Sequence, residues 1–238
     1  MQTVKLDNHE LPYAVKEEMK MLRTNLMFCG EDKKVILMTS VVSDEGKSEC
    51  SINLCRSLAE LGQTVLLVDA DLRKSVLIRR AEDSNAKLGI AHFLAGQCSA
   101  DDILYWSGME NFYYIPAGAF PPNPSELLAS KRMAQFIEVA RSQFDYIIID
   151  APPLGMVVDA ATIAPYCDGS LLLLESGRSP YRAAQNVVEN LRNTGCPILG
   201  VVLNKVGLHK NGAYGRYYSA YYGKYYGGYY RKYQEEYK

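Results

Sequence analysis

The sequence predicts an α/β fold, a doubly wound, mostly parallel sheet with helices on both faces. Three observations carry this. Short apolar runs rich in β-branched residues recur at 35–38, 64–68, 112–115, 146–149, 170–174 and 198–203, the pattern of strands buried on both faces. Helical periodicities separate most of them. The first run leads into Gly46-Lys47-Ser48, and two others end in Asp, so a parallel sheet would gather these polar groups at one rim.

Residues 1–12 read as an extended, weakly anchored lead-in closed by Pro12. From 13 to 28 the period is helical: Val15, Met19, Leu22 and Leu26 share a face, with Met21 and Met27 beside it. Glu17, Lys20 and Arg23 repeat every three residues on another face. They read either as a solvated stripe with local ion pairs or as a self-association surface. Residues 34–50, KVILMTSVVSDEGKSEC, then read as strand, loop and helix start, the helix carrying Ile52, Leu54, Leu58 and Leu61 on its apolar side. Such a loop makes an anion cradle from backbone N–H groups and a helix N-terminus. Lys47 would reach the β and γ phosphates of a nucleotide, and the Ser48 hydroxyl would hold Mg²⁺. The candidate nucleotide-binding residues are Ser43, Asp44, Glu45, Gly46, Lys47, Ser48 and Glu49. Val41 stands at the first glycine of the G-x-x-x-x-G-K-[ST] pattern, so taken alone the loop also admits an ordinary strand-to-helix turn.

Gly62 ends that helix, and the strand at 64–68 runs into Asp69-Ala70-Asp71-Leu72-Arg73. Beyond a parallel strand's carboxyl end, Asp69 and Asp71 join Lys47 as catalytic or metal-binding carboxylates. A turn signal is the alternative. Residues 75–110 are less regular. Leu88, Ile90, Phe93 and Leu94 suggest a short helix ended by Gly96, and Ser99 looks like the cap of another. Trp106 reads as packing. After the strand at 112–115 comes PAGAFPPNPSELLAS, 116–130, whose prolines fix an irregular loop and whose Ser125-Glu126 opens a helix. An amphipathic helix at 131–142 precedes YIIIDAPP, 146–153. An apolar strand ending in Asp150 has the form of a Walker B element, whose carboxylate orders Mg²⁺. Asp159 follows at a helix start, readable as a switch residue or as a cap. A strand at 170–174, a helix at 180–194 and a strand at 198–203 complete the alternation, with Asn204 placed near a nucleotide base.

Length 238 suits one domain with a large core, and net charge −1 argues against a general nucleic-acid binder. No apolar run approaches the ~18 residues of a membrane span, and the first residues lack a signal peptide's apolar core, so a cytoplasmic location is expected. Six cysteines form no C-x-x-C pair and read as reduced, buried thiols. Of eighteen tyrosines, eleven crowd into the end of the chain: Tyr214, Tyr217, Tyr218, Tyr221, Tyr222, Tyr225, Tyr226, Tyr229, Tyr230, Tyr233 and Tyr237. Gly at 215, 223, 227 and 228 disfavours helix there, and no aliphatic residue with a large side chain follows Leu208. This segment reads as a disordered low-complexity tail or as a set of phosphate acceptors. Its cations at 216, 224, 231, 232 and 238 outnumber its two Glu.

The phosphate loop, Asp69-x-Asp71-x-Arg73, 146–153 and the tyrosine cluster together resemble the cytoplasmic bacterial tyrosine kinases of the capsule and exopolysaccharide systems, which use a deviant-Walker P-loop ATPase fold. VLLVDADLRK is similar to that family's second Walker motif, YIIIDAPP to its Walker B, and 116–130 to its proline-rich segment. Glu17-x-x-Lys20-x-x-Arg23 resembles its E-x-x-R-x-x-R helix motif, with Lys for the first Arg. Ser43 and Asp44 stand where the family has Pro-Gly, and Ser75 where it has Pro. The resemblance implies an ATP- and Mg²⁺-dependent protein-tyrosine kinase domain at 13–206 and an autophosphorylated tail at 207–238. It implies Lys47 and the loop amides on the phosphates, and Ser48, Asp71 and Asp150 around Mg²⁺. Asp69 is then expected to orient the acceptor hydroxyl. Also implied are a homo-oligomer, ring-like and formed through Glu17, Lys20 and Arg23, a membrane polysaccharide co-polymerase as activator, which would recruit the chain to the membrane's inner face, and a cognate tyrosine phosphatase. The alternatives are a partitioning-type switch ATPase and a non-catalytic scaffold.

Overall fold

The computed structural model describes residues 2–6, 11–77 and 86–206. The tyrosines from Tyr214 to Tyr237 lie outside the described residues. Eight strands form one sheet: β1 (Gln2–Thr3), β2 (Val35–Ser40), β3 (Val65–Asp69), β4 (Tyr105–Trp106), β5 (Phe112–Ile115), β6 (Tyr146–Asp150), β7 (Gly169–Glu175) and β8 (Ile198–Asn204). Their order is β1-β4-β5-β3-β6-β2-β7-β8, parallel throughout except for the antiparallel β4–β5 pair. The predicted fold class is therefore the observed one.

Strand alternation divides the core into two layers. Ile36 and Met38 of β2 face one layer, with Leu67 and Ile148. It is closed by α1 (Tyr13–Met27) and α2 (Lys47–Ala59) through Leu26, Ile52, Leu54 and Leu58. Val35 and Leu37 face the other layer, with Leu66 and Ile149. That layer is covered by α3 (Ile90–Leu94), α4 (Pro124–Leu128), α5 (Lys131–Gln143), α6 (Asp159–Ile163) and α7 (Tyr181–Asn193). Each fully buried Leu or Ile contributes roughly 1.5–3 kcal/mol, so the central strands are the most firmly held part of the molecule. Helix starts follow local chemistry. Ser130 caps α5 by accepting the Met133 N–H, and α7 buries Ala184, Val187 and Leu191 along one stripe.

Several expectations are corrected here. The N-terminal segment is anchored: Gln2–Thr3 pairs with Tyr105–Trp106, the Val4 and Leu6 amides donate to Trp106 and Ser107 carbonyls, and both side chains are buried. No helix follows Ser99. Its N–H and hydroxyl both donate to the Asp102 carboxylate, closing a turn that feeds β4. Trp106 is partly exposed on that short strand, and Leu61 lies past the end of α2 with its side chain in solvent. Of the six thiols, Cys50, Cys55 and Cys196 are buried, Cys98 and Cys167 are half-buried, and Cys29 is exposed. Burial pushes Cys50 up to about 12.

Candidate functional site

The carboxyl ends of β2, β3, β6 and β8 deliver their polar residues to one rim, where a cleft of about 610 Å³ opens. Its floor is set by how α2 begins. Gly46, just before the helix, has φ +93°, and a Cβ there would lie 2.2 Å from Asn204 Nδ2. Only glycine fits this position. No side chain caps α2, so its first amides remain available to an anion.

Beneath the loop, Asp150 joins the first turn of α2 to the end of β6. Lys47 Nζ lies 2.7 Å from Asp150 Oδ2, and the Ser48 hydroxyl donates to the same oxygen at 2.6 Å. The Ser51 hydroxyl donates to Oδ1 at 2.8 Å. Lys47 and Asp150 are 6% and 1% exposed, so the pair is nearly dry. A hydroxyl and a carboxylate are hard oxygen donors of the type Mg²⁺ prefers, and Ser48 and Asp150 are already within contact.

Of the residues expected from the sequence, Ser43, Asp44, Gly46, Lys47, Ser48, Glu49, Asp71 and Asn204 line the cleft. Three carboxylates do not. Asp150 lies below it as described. Glu45 turns inward: its carboxylate accepts the Val41 and Val42 amides at 2.8 and 3.0 Å and the Ser179 hydroxyl. Its side chain thus holds the loop from behind, which leaves only its backbone to face a nucleotide. Asp69 is corrected. β3 runs one residue further than expected and pairs Asp69 with Asp150 across the ladder. Its side chain is fully buried, accepting from the Ser75 hydroxyl and, at 3.5 Å, from Tyr114. Burial, then the neighbouring Asp150 charge, pushes its carboxyl up to about 7. Asp69 is not among the residues lining the cleft, and Asp71 is the carboxylate of this turn that the cleft exposes.

Residues not expected at the site also take part. Ser51 stands one helical turn past Lys47 and Ser48, and that spacing was its only signal. Arg73, Lys74, Met156 and Lys205 also line the cleft. Lys205 Nζ donates to the Asp44 carbonyl at 2.7 Å and to Glu175 at 2.8 Å. Asn204 Nδ2 donates to the Glu45 carbonyl at 2.8 Å, so the end of β8 braces the phosphate loop. The hydrogen bond from Lys205, aided by Arg178, holds the Glu175 carboxyl below its usual range. Asp159 makes no capping bond to α6. It is fully buried and forks onto Arg73, with the Ser125 hydroxyl on the same carboxylate.

The helix stripe divides. Lys20 and Glu17 form a surface ion pair at 2.7 Å, while Arg23 Nη1 donates to the Ser57 carbonyl at 2.5 Å and so ties α1 to α2. Arg23 is committed inward, which corrects its place beside the other two on an open surface. No helix among the described residues is long and apolar enough to cross a membrane.

Comparison with known proteins follows the same lines. The AAA domain family matches residues 33–172. Tyrosine-protein kinase CpsD of Streptococcus pneumoniae serotype 4 is 39% identical over 213 residues, covering 89% of this chain and 94% of its own. The kinase domain of Escherichia coli tyrosine kinase ETK superposes with a TM-score of 0.75 at 30% identity, covering 83% of this chain and 81% of that one. The septum site-determining protein MinD of Pyrococcus horikoshii, complexed with Mg-ADP, superposes at 0.64 with 27% identity, over 74% and 72% of the two chains. A nucleotide-binding P-loop fold and this relationship together place the chain in the bacterial tyrosine-kinase family of the capsule and exopolysaccharide systems.

Proposed function

We propose that this protein transfers the γ-phosphoryl group of ATP to tyrosines of its own 207–238 segment, on a neighbouring copy, and thereby regulates capsular or exopolysaccharide synthesis. The observation that carries the reading is the dry Lys47–Asp150–Ser48 constellation beneath a cleft of nucleotide size, in a chain that ends in eleven tyrosines. The loop amides and Lys47 hold the phosphates. Ser48, Asp71 and Asp150 are the residues to hold Mg²⁺, which when bound neutralises charge on the transferring group. Lys47 starts paired with Asp150 and is long enough to turn toward the phosphates. Asp71, at the open side of the cleft, orients the acceptor hydroxyl, the role first expected of Asp69. A phenol with an ordinary pKa of about 10 needs such a partner, but positioning contributes more than base strength when the transition state is loose.

The basic 207–238 segment is attracted to the anionic nucleotide. Each phosphate added brings roughly −1.5 to −2 charges, so modification reverses that attraction and releases the segment. The homo-oligomer, a membrane co-polymerase as activator that brings the chain to the membrane, and an opposing phosphatase complete the proposal; the family relationship supports them. The likeness to MinD favours one second reading, a switch ATPase that hydrolyses ATP without phosphorylating tyrosine. The test is phosphotyrosine mass spectrometry on dephosphorylated full-length chain with Mg-ATP and the activator's cytoplasmic segment, beside Lys47→Met. Phosphate on Tyr214–Tyr237 in wild type alone is expected. ATP turnover with an unmodified segment would select the switch ATPase.

A further inference from the structure

We infer that Asp159 and Ser125 are positioning residues for Asp71, acting through Arg73, and that this clasp sets how much nucleotide affinity the site gains from a divalent cation. The inference rests on the nucleotide reading above. Asp159, the first residue of α6, is fully buried. Its Oδ2 accepts Arg73 Nε at 2.7 Å and its Oδ1 accepts Arg73 Nη2 at 3.0 Å. The Ser125 hydroxyl donates to Oδ1 at 2.6 Å and accepts from Arg73 Nη2 at 3.0 Å. One carboxylate thus fixes a planar fork and a hydroxyl together, a geometry that constrains direction as well as distance.

Arg73 is two residues beyond Asp71. The Asp71 carboxylate accepts the backbone N–H groups of Arg73 at 3.2 Å and Lys74 at 2.9 Å. The same short turn therefore carries the cleft carboxylate and the anchored guanidinium, and holding one holds the other. Ser125 brings in the proline-rich segment 116–130. None of the described residues lining the cleft comes from that segment. Its route to the site runs through the Ser125 hydroxyl, which gives this stretch a role at the site without contact with a nucleotide.

Outer partners of a metal-binding carboxylate set its aim, and losing them typically lowers metal affinity by about tenfold or more. The test is binding of the fluorescent nucleotide mant-ADP to the full chain, in MgCl₂ and in EDTA, for wild type, Asp159→Asn, Arg73→Lys and Ser125→Ala. The readout is the ratio of affinities with and without magnesium. Asp159→Asn is expected to lower the ratio about tenfold while leaving binding in EDTA unchanged. Arg73→Lys keeps the charge but loses the fork, and is expected to lower it comparably. Ser125→Ala is expected to lower it less. A ratio equal to wild type in Asp159→Asn, or equal weakening in both buffers, overturns the inference. Should that variant not fold, Arg73→Lys decides in the same way, its side chain being 41% exposed. A wild type with no magnesium gain would overturn the clasp's role, and no mant-ADP binding in either buffer would overturn the nucleotide reading itself.

Discussion

Two cation–carboxylate pairs, each with its cation lining the cleft, differ in kind. Lys47–Asp150 on the floor and Arg73–Asp159 at the lip have the same separation, 2.7 Å, and both carboxylates are buried. The floor cation is also buried, while the lip cation is 41% exposed. Lys47 is a point charge on a flexible stem, so it can exchange Asp150 for a phosphate oxygen without losing its geometry. Arg73 is a planar fork engaged at two nitrogens, and exchange would break both bonds at once. The floor pair is suited to move during turnover, and the lip pair to stay fixed. Pairing strength alone therefore does not mark the working residue; the freedom of the cation does.

The comparison is broken most severely at the floor. Lys47→Met should lower tyrosine phosphorylation at least about a hundredfold, measured by initial rates of phosphotyrosine formation, while circular dichroism stays unchanged.

Asp69, beside the floor pair, gives the next effect. Its carboxyl is pushed up to about 7 by burial, then by the Asp150 charge. The folded chain then keeps a proton that the unfolded chain releases above about pH 4. Stability should fall as pH rises from about 4 to about 7, by up to about 1.4 kcal/mol per unit, and level off above. Asp69→Asn should remove that slope and exceed wild type in stability at pH 8, as read by urea denaturation across pH.

At the lip, Asp159→Asn should cost only about tenfold in magnesium gain and leave Lys47 paired with Asp150. Equal losses of phosphorylation rate in Asp159→Asn and Lys47→Met would erase the distinction between the two pairs.

The smallest effect lies in the loop between them. Asp44 has φ +65°, in the left-handed region that favours glycine. That conformation costs a non-glycine residue roughly 1 kcal/mol, less for Asp. Asp44→Gly relieves it but frees the unfolded chain by about 0.4–1 kcal/mol, so the two nearly cancel and a change within about 0.5 kcal/mol of zero is expected by chemical denaturation. A larger loss would show that the Asp44 side chain supports the loop.

Much of this was legible in the residues. The buried strands, the phosphate loop and Asp150 announce themselves because each is local: apolar runs, a Gly-Lys-Ser turn, an acid at a strand end. What escaped was set by register or by distant partners. Ending β3 one residue early put Asp69 on the open rim, whereas its place in the ladder beside Asp150 buries it. Glu45 reads as a phosphate-loop residue, but its side chain's partner Ser179 lies 134 residues on, just past β7. Asp159 finds Arg73 across 86 residues, and no spacing records that. The alternation of Val4 and Leu6 around Lys5 was a strand signal, but too short to stand without β4.

The central claim is that this cleft phosphorylates the tyrosines of another copy of the chain. The direct measurement mixes dephosphorylated wild type with ¹⁵N-labelled full-length Lys47→Met, adds Mg-ATP and the activator's cytoplasmic segment, and reads the 207–238 peptides by mass. Phosphate on the heavy peptides, which belong to chains unable to modify themselves, is the expected result. Phosphate confined to the light peptides, or absent from both, would contradict the account.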